Sequence, residues 1–312
     1  MRIYRQQDFQ GQLDLVKPLI GNYGWMWALL SARFRLTHRF PYKLHRMLRR
    51  YVNPRRPYFT AKTADGVAYV GDARDEPSVT HQLLPASGDH ISNFIRERMG
   101  NTPTGAYLDV GSNLGIVAST VAIHLAGQEQ VIAFEPMPET ARRAAAGFAL
   151  NNLSNVQLLE TAVGDENIEL SFFNLAGNSA GASAHPSNRG GDGWIETKVS
   201  CRTLDSLVED GIIGNVGFIK IDVEGHEPQT VRGARKLIER HRPPIVYEYH
   251  YSIAPGLGWT PSHMEAIINE AGPYRFRVLN EDGSLTEQVP TDHPGYIDFY
   301  CEAVRDATGN PS

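Results

Sequence analysis

The chain has 312 residues, of which 41% are hydrophobic and 21% charged, and carries a net charge of −5. That is enough apolar material for a large core in one or two domains, and it excludes a mostly disordered chain. Two cysteines, Cys201 and Cys301, exclude a disulfide scaffold, lack the spacing of a zinc or redox pair, and fit a reducing compartment.

The charge is unevenly placed. Residues 1–62 hold 13 Lys and Arg against Asp8 and Asp14, whereas the remaining 250 hold 17 basic and 33 acidic side chains. The stretch Leu19–Leu30 is broken by Gly21, Asn22 and Gly24, and nothing reaches the ~18 apolar residues that a bilayer span needs. The opening Met-Arg-Ile-Tyr-Arg-Gln-Gln-Asp has no apolar core of a secretory leader, so a cytoplasmic location is expected.

Residues 1–56 read as a basic helical region, with Pro41 breaking the run. Within residues 25–50, Trp25, Trp27, Phe34 and Phe40 are interleaved with Arg33, Arg35, Arg39, Lys43, Arg46, Arg49 and Arg50. Three uses fit this pattern. It can pack on the main domain or in a homodimer, lie on the inner face of a membrane as a peripheral contact, or bind nucleic acid. No nucleic-acid motif accompanies the charge, and no such partner is expected. Pro54–Pro57 is a hinge, and Tyr58–Gly71 alternates around Asp65-Gly66 as a hairpin.

A helix is expected over 88–99. From there, short Val- and Ile-rich runs at 107–110, 131–134, 156–163, 218–221 and 245–249 alternate with helical stretches at 115–126, 138–151, 227–241 and 261–271. Late strands follow at 276–280 and 296–304. This alternation predicts an α/β domain over 57–305, built on a mostly parallel sheet with helices on both faces. Residues 174–198, rich in Gly, Ser and Asn, read as a long loop, either a lid or filler. Residues 306–312 read as a disordered tail.

The chemistry concentrates at three strand ends. In Asp109-Val110-Gly111-Ser112-Asn113-Leu114-Gly115, a strand runs into a glycine turn and a helix start, where free N–H groups can hold an anion. The G-x-G-x-x-G spacing of a dinucleotide loop is missing, and Asp109 suits an ammonium better than a pyrophosphate. A cofactor with both ammonium and carboxylate fits, Asp109 meeting the ammonium directly or through water. Glu135 ends the next strand, where a carboxylate can accept both hydroxyls of a ribose. Together these favour S-adenosylmethionine over NAD. The third strand end delivers Asp222, Glu224, His226 and Glu227 to one turn, and Glu248 and His250 end the strand after it. His226 is the natural general base near neutral pH, with Asp222, Glu224 and Glu248 as the other catalytic candidates. Glu227 reads as a complement to the dipole of its helix. No compact metal-ligand spacing is present, so no metal is expected.

In these motifs the chain resembles an FkbM-type methyltransferase, a branch of the class I S-adenosylmethionine-dependent enzymes. The resemblance rests on Leu108–Gly115, Ala133-Phe134-Glu135-Pro136-Met137-Pro138, Leu150–Val156, Ala162-Val163-Gly164-Asp165, Thr203-Leu204-Asp205, and above all Ile219–Glu227 with Gly233-Ala234. It spans about residues 58–302. It implies a seven-stranded Rossmann-like sheet with the last strand antiparallel, and O-methylation of a sugar, glycolipid or polyketide hydroxyl. It further implies cofactor contacts at Asp109, Gly111, Ser112, Asn113, Gly115, Glu135 and Asp222, with Thr161 and Ala162 near the adenine. Ser112 departs from a usual alanine and Gly147 from a common asparagine. Two alternatives stay open: a degenerate domain serving as a membrane-surface or partner-binding module, and an NAD-dependent oxidoreductase on a related fold.

Overall fold

The Val- and Ile-rich runs become the strands of a nine-stranded sheet. The computed structural model describes residues 1–37, 42–83, 89–101, 105–175, 178–184, 194–290 and 295–304. In chain order the elements begin with β1 (Arg2–Tyr4), α1 (Gln6–Val16), α2 (Gly24–Thr37), α3 (Tyr42–Leu48), β2 (Tyr58–Lys62), β3 (Ala68–Asp72), α4 (Glu76–Leu83) and α5 (Asp89–Asn101). The central part comprises β4 (Ala106–Val110), α6 (Ile116–Leu125), β5 (Val131–Phe134), α7 (Pro138–Leu150), β6 (Val156–Glu160) and β7 (Ala162–Val163). Then come β8 (Glu169–Leu175), β9 (Asn178–Ser183), β10 (Trp194–Arg202), α8 (Leu204–Glu209), β11 (Val216–Ile221), α9 (Glu227–Arg232) and α10 (Arg235–His241). The chain closes with β12 (Ile245–His250), α11 (Pro261–Asn269), β13 (Tyr274–Leu279), β14 (Leu285–Thr286) and β15 (Tyr296–Ala303).

The sheet order is β1-β6-β5-β4-β11-β12-β15-β13-β14. Its seven central strands are parallel except β15, which runs antiparallel to both β12 and β13. This is the arrangement that the resemblance implied, with β1 and β14 added at the edges. The central strands are buried on both faces because helices cover both. On one face Leu108, Ile132 and Ile219 pack with Leu207, Ile238 and Met264. On the other, Tyr107, Val131 and Phe218 pack with Phe94, Val121 and Phe148.

Four expectations change. Residues 1–56 are not wholly helical: Arg2–Tyr4 pairs antiparallel with β6, and Phe9 of α1 sits edge-on to Phe148 of α7 at 5.3 Å. The reason is a local apolar pattern, Tyr4, Phe9, Leu13 and Val16, which is buried against the main domain. Met26 and Leu30 of α2 and Leu48 of α3 pack in turn on Phe59, Tyr69 and Val79. Second, residues 174–198 are not one loop. Asn178–Ser183 and Trp194–Arg202 join β7 and β8 in a four-stranded sheet ordered β7-β10-β8-β9. Third, 227–241 is two helices rather than one, parted at Gly233-Ala234, where Asp205 N donates to Gly233 O at 2.9 Å. The run 156–163 is likewise split at Thr161 between the two sheets. Pro41, Arg39, Phe40 and the tail 306–312 lie outside the described residues. Among the described residues, no helix is long and apolar enough to cross a membrane.

Candidate active site

β4 and β11 are neighbours at the centre of the sheet, and the chain leaves them in opposite directions, to β5 and β6 from one and to β12 from the other. Such a reversal opens a crevice beyond the carboxyl ends of the strands. A cleft of about 610 Å³, counting its open mouth, occupies that place. Its walls bring together Gly111 and Asn113 after β4, Glu135 after β5, Thr161 and Ala162 after β6, and Asp222, Glu224 and His226 after β11. Phe134 and Phe172 add aromatic surface, while Ser179 and Ala182 come from β9.

Asp109 and Lys220 stand directly opposite each other in the β4–β11 register. Both are buried, and Lys220 Nζ lies 3.3 Å from Asp109 Oδ1 and 3.3 Å from Asp222 Oδ2. It also donates to Gly111 O at 3.2 Å. Burial opposes the charge on Lys220, but the two carboxylates outweigh it and hold the ammonium well above its ordinary range. Asp109 Oδ2 accepts from Ser112 Oγ at 2.9 Å. Asp109, expected to meet a ligand ammonium directly or through water, is thus engaged within the protein by Lys220 and Ser112. Asp109 and Ser112 do not line the cleft; they lie beneath the loop and lock its shape. Gly115 is also outside the walls, at the cap of α6.

The loop is tight. Gly111 has φ +81°, and a Cβ there would sit 1.8 Å from Asp222 O, so the two strand ends touch only because the side chain is absent. Glu135 is buried, and its carboxylate accepts from Asn113 N at 3.0 Å and Met137 N at 2.8 Å. Burial raises its pKa to about 7 despite those two donors. Thr161 spends its hydroxyl on the backbone, donating to Ser200 O at 2.8 Å, so only its surface is offered to the cleft.

At the third strand end the turn is pinned from within. Glu227 Oε1 accepts from Val223 N at 3.1 Å and Gly225 N at 3.2 Å. Burial pushes its pKa up to about 8. It is the brace of the turn rather than only a dipole complement. Glu224 adopts φ +56°, and its carbonyl accepts from Ser183 Oγ at 2.9 Å. His226, buried, begins α9; a Cβ on Gly164 would stand 3.0 Å from its Nε2 and 2.8 Å from Cys201 Sγ. Glu248 does not line the cleft. It lies partly buried beside Asp298 in the β12–β15 register, and burial together with Asp222, Glu224 and Asp298 raises its pKa well above the ordinary value. His250 accompanies Ser252, 3.0 Å from Oγ, and is likewise outside the walls. Among the described residues, no group of three His, Cys, Asp or Glu side chains is arranged to hold a metal ion.

Sequence reasoning gave no role to Lys220 or Ser179. Lys220 carried a signal: it is two positions before Asp222 in a strand, and so on the same face. Ser179 N and Oγ donate to Asp75 at 2.6 and 2.9 Å, and its Oγ lies 3.3 Å from Asn113 Oδ1, which pins β9 over the cleft. That depends on a contact across 104 residues, which no local pattern announces.

The model of the methyltransferase FkbM domain matches residues 109–276. The hexuronic acid methyltransferase AglP of Haloferax volcanii is 27% identical over 204 residues, covering 63% of this chain and 72% of that protein. The 2-O-methyltransferase NoeI of Sinorhizobium fredii is 25% identical over 152 residues, covering 45% of this chain and 61% of that protein. The crystal structure of a methyltransferase FkbM from Methylobacillus flagellatus KT aligns with a TM-score of 0.43 at 17% identity, over 64% of this chain and 43% of that one.

The brace at Glu227 has a pH signature. Its folded value, about 8, lies above the ordinary 4.5, so the folded chain keeps a proton that the unfolded chain releases. That contribution is complete below 4.5 and is lost as the pH rises towards 8. Glu227→Gln carries no such proton, and its amide oxygen can still accept from the turn. Urea unfolding at a series of pH values should give a shallower decline between pH 5 and 8 for Glu227→Gln than for the native chain. Equal slopes would remove Glu227 as the source.

Proposed function

The chain belongs to the FkbM methyltransferase family, and we propose that it transfers a methyl group from S-adenosylmethionine to a hydroxyl of a sugar or glycolipid acceptor. The observation that carries this reading is the charge of the cleft. Its walls hold the carboxyl groups of Glu135, Asp222 and Glu224, with Asp222 shared with Lys220 beneath, and no Lys or Arg lines it among the described residues. A sulfonium and an ammonium suit such walls; the pyrophosphate of NAD would be repelled. The fold is that of the class I methyltransferases, and the intact loop supports an enzyme over a degenerate binding module. The names of the two relatives support a sugar hydroxyl as acceptor.

The residues fit the cofactor. Glu135 retains lone pairs toward the cleft for a ribose, Ala162 and Phe172 offer an apolar slot for a purine, and Asp222 faces the place of an ammonium. S-adenosylmethionine, when bound, supplies an electrophilic methyl carbon whose departure leaves a neutral thioether. The protein's part is to hold the acceptor oxygen in line and to take its proton. His226 is assigned the proton. Asp222 and Glu224 orient the pair, and Glu248, whose pKa is raised by burial and by the neighbouring carboxylates, stands behind them.

Residues 25–50 are proposed as a peripheral membrane contact. Trp25 and Leu29 are exposed one turn apart on α2, beside Arg33 and Arg35. Because α1 and β1 belong to the core, the test uses point variants rather than a deletion. Binding to anionic vesicles that fades with salt and is lost in Trp25→Ser/Leu29→Ser supports the contact. A chain that ignores vesicles, with a dimer broken by the same changes, would put a homodimer interface there instead.

Two further measurements test the chemistry. Glu135→Ala should weaken S-adenosylmethionine by about tenfold or more, since each charge-assisted hydrogen bond is worth about 1.5–3 kcal/mol. Calorimetry with S-adenosylmethionine and NAD in parallel reads this directly, and an unchanged dissociation constant would take Glu135 out of the site. His226→Ala should lower turnover by about 10²–10⁴ while leaving cofactor affinity nearly intact, with loss of the acidic limb of the pH–rate profile. Near-normal turnover would leave in-line positioning as the whole mechanism.

A further inference from the structure

A second, larger recess opens beside the first, about 1590 Å³ with its open mouth, and Ser179 and Ala182 line both. Their charges are opposite in kind. Where the first holds Glu135, Asp222, Glu224 and His226, the second is lined by Arg46, Arg49, Arg50, Arg74 and Arg143 against Asp72, Asp75 and Glu139, an excess of two positive charges. Asp72 is paired with Arg74 at 2.5 Å, and Asp75 lies 3.7 Å from buried Arg143. Glu139 accepts from Tyr58 OH at 3.1 Å. Arg46 and Arg50, on α3 and the turn after it, take part in none of these pairs. Arg46 and Arg50 are exposed to the recess, and Arg50 Nε is steadied by donating to Met47 O at 2.8 Å. Arg143 Nε, buried, has no hydrogen-bond partner. A cluster of arginines in one recess concentrates anions there.

We infer that this recess is the acceptor site, and that the acceptor is an acidic saccharide whose anionic group is held by Arg46 and Arg50 while its hydroxyl reaches past Ser179 into the neighbouring cleft. The inference rests on the methyltransferase reading and adds to it the substrate's charge. It also gives residues 42–51, outside the segment matched by the family model, a part in choosing the substrate. The anion is a carboxylate, as in a uronic acid, or a phosphate, as in a sugar phosphate. Guanidinium groups bind either.

The full chain, with S-adenosylmethionine present, is titrated calorimetrically with methyl glucuronide, glucose 1-phosphate and methyl glucoside. At least one anion should bind about tenfold or more tightly than the neutral glycoside, and which of the two prevails identifies the anionic group. Arg46→Ser/Arg50→Ser should lose about tenfold in affinity for that anion, with the cofactor's dissociation constant and the melting temperature unchanged, and Arg46→Lys/Arg50→Lys should recover part of it. Equal binding of all three saccharides, no binding of any, or an anion affinity indifferent to the serine changes would overturn the inference. Failure of S-adenosylmethionine itself to bind would instead strike the reading beneath it, and the cofactor titration separates the two.

Discussion

The buried ammonium of Lys220 is the contact on which the site depends. Two neighbouring parallel strands end in carboxylates, Asp109 and Asp222, and a sheet cannot bring such groups together in its interior without a cation between them. Lys220 supplies that cation and also ties down Gly111 O, so one side chain joins the glycine loop to the strand end opposite. Removing one partner of a buried pair leaves an uncompensated charge and costs about 3–5 kcal/mol. The shape of the loop, the place of Asn113, and the reach of Glu135 to its amide all follow from that junction.

Around this junction the protein separates charge by position. Carboxylates face the central cleft, arginines face the recess beside it, and Ser179 stands on the boundary, bonded to Asp75 on one side and Asn113 on the other. A cationic cofactor and an anionic acceptor would thus each meet walls of the opposite sign, and neither would be drawn into the other's place. The same strand, β9, closes the side of both spaces. Ordering of one site is in this way mechanically joined to ordering of the other.

Most of the sheet was legible because parallel strands buried on both faces must be written in Val and Ile, and because glycine loops at strand ends leave a fixed pattern. The chemistry at the three strand ends was legible for the same reason. Three things were not. Residues 174–198 hide two strands, because β9 and β10 belong to a side sheet in which Ile195, Glu196 and Lys198 of β10 are exposed, so no apolar alternation marks them. Arg2–Tyr4 is too short to show a period, and its identity as a strand comes from β6. Asp109 reads as a ligand contact from its place two residues before Gly111, and its register partner, a lysine 3.3 Å away, does not show in the local pattern. The strand alternation of Lys220 and Asp222 contains that information, but only once β11 is laid beside β4.

The strand at the edge, β1, has a consequence for how the molecule is made. Tyr4 OH meets Glu160 across 156 positions, and the bond is 2.7 Å long. The pairing closes one of the longest loops in the domain, and loop closure of that length is entropically unfavourable until the strands it joins already exist. During synthesis β1 and the apolar stripe of α1 emerge well before β6 is available to receive them. Over that interval Phe9, Leu13 and Val16 have no surface to cover, and the segment is a target for chaperones or for a neighbouring chain. Pairing of β1 thus waits on β6, the strand it is laid against.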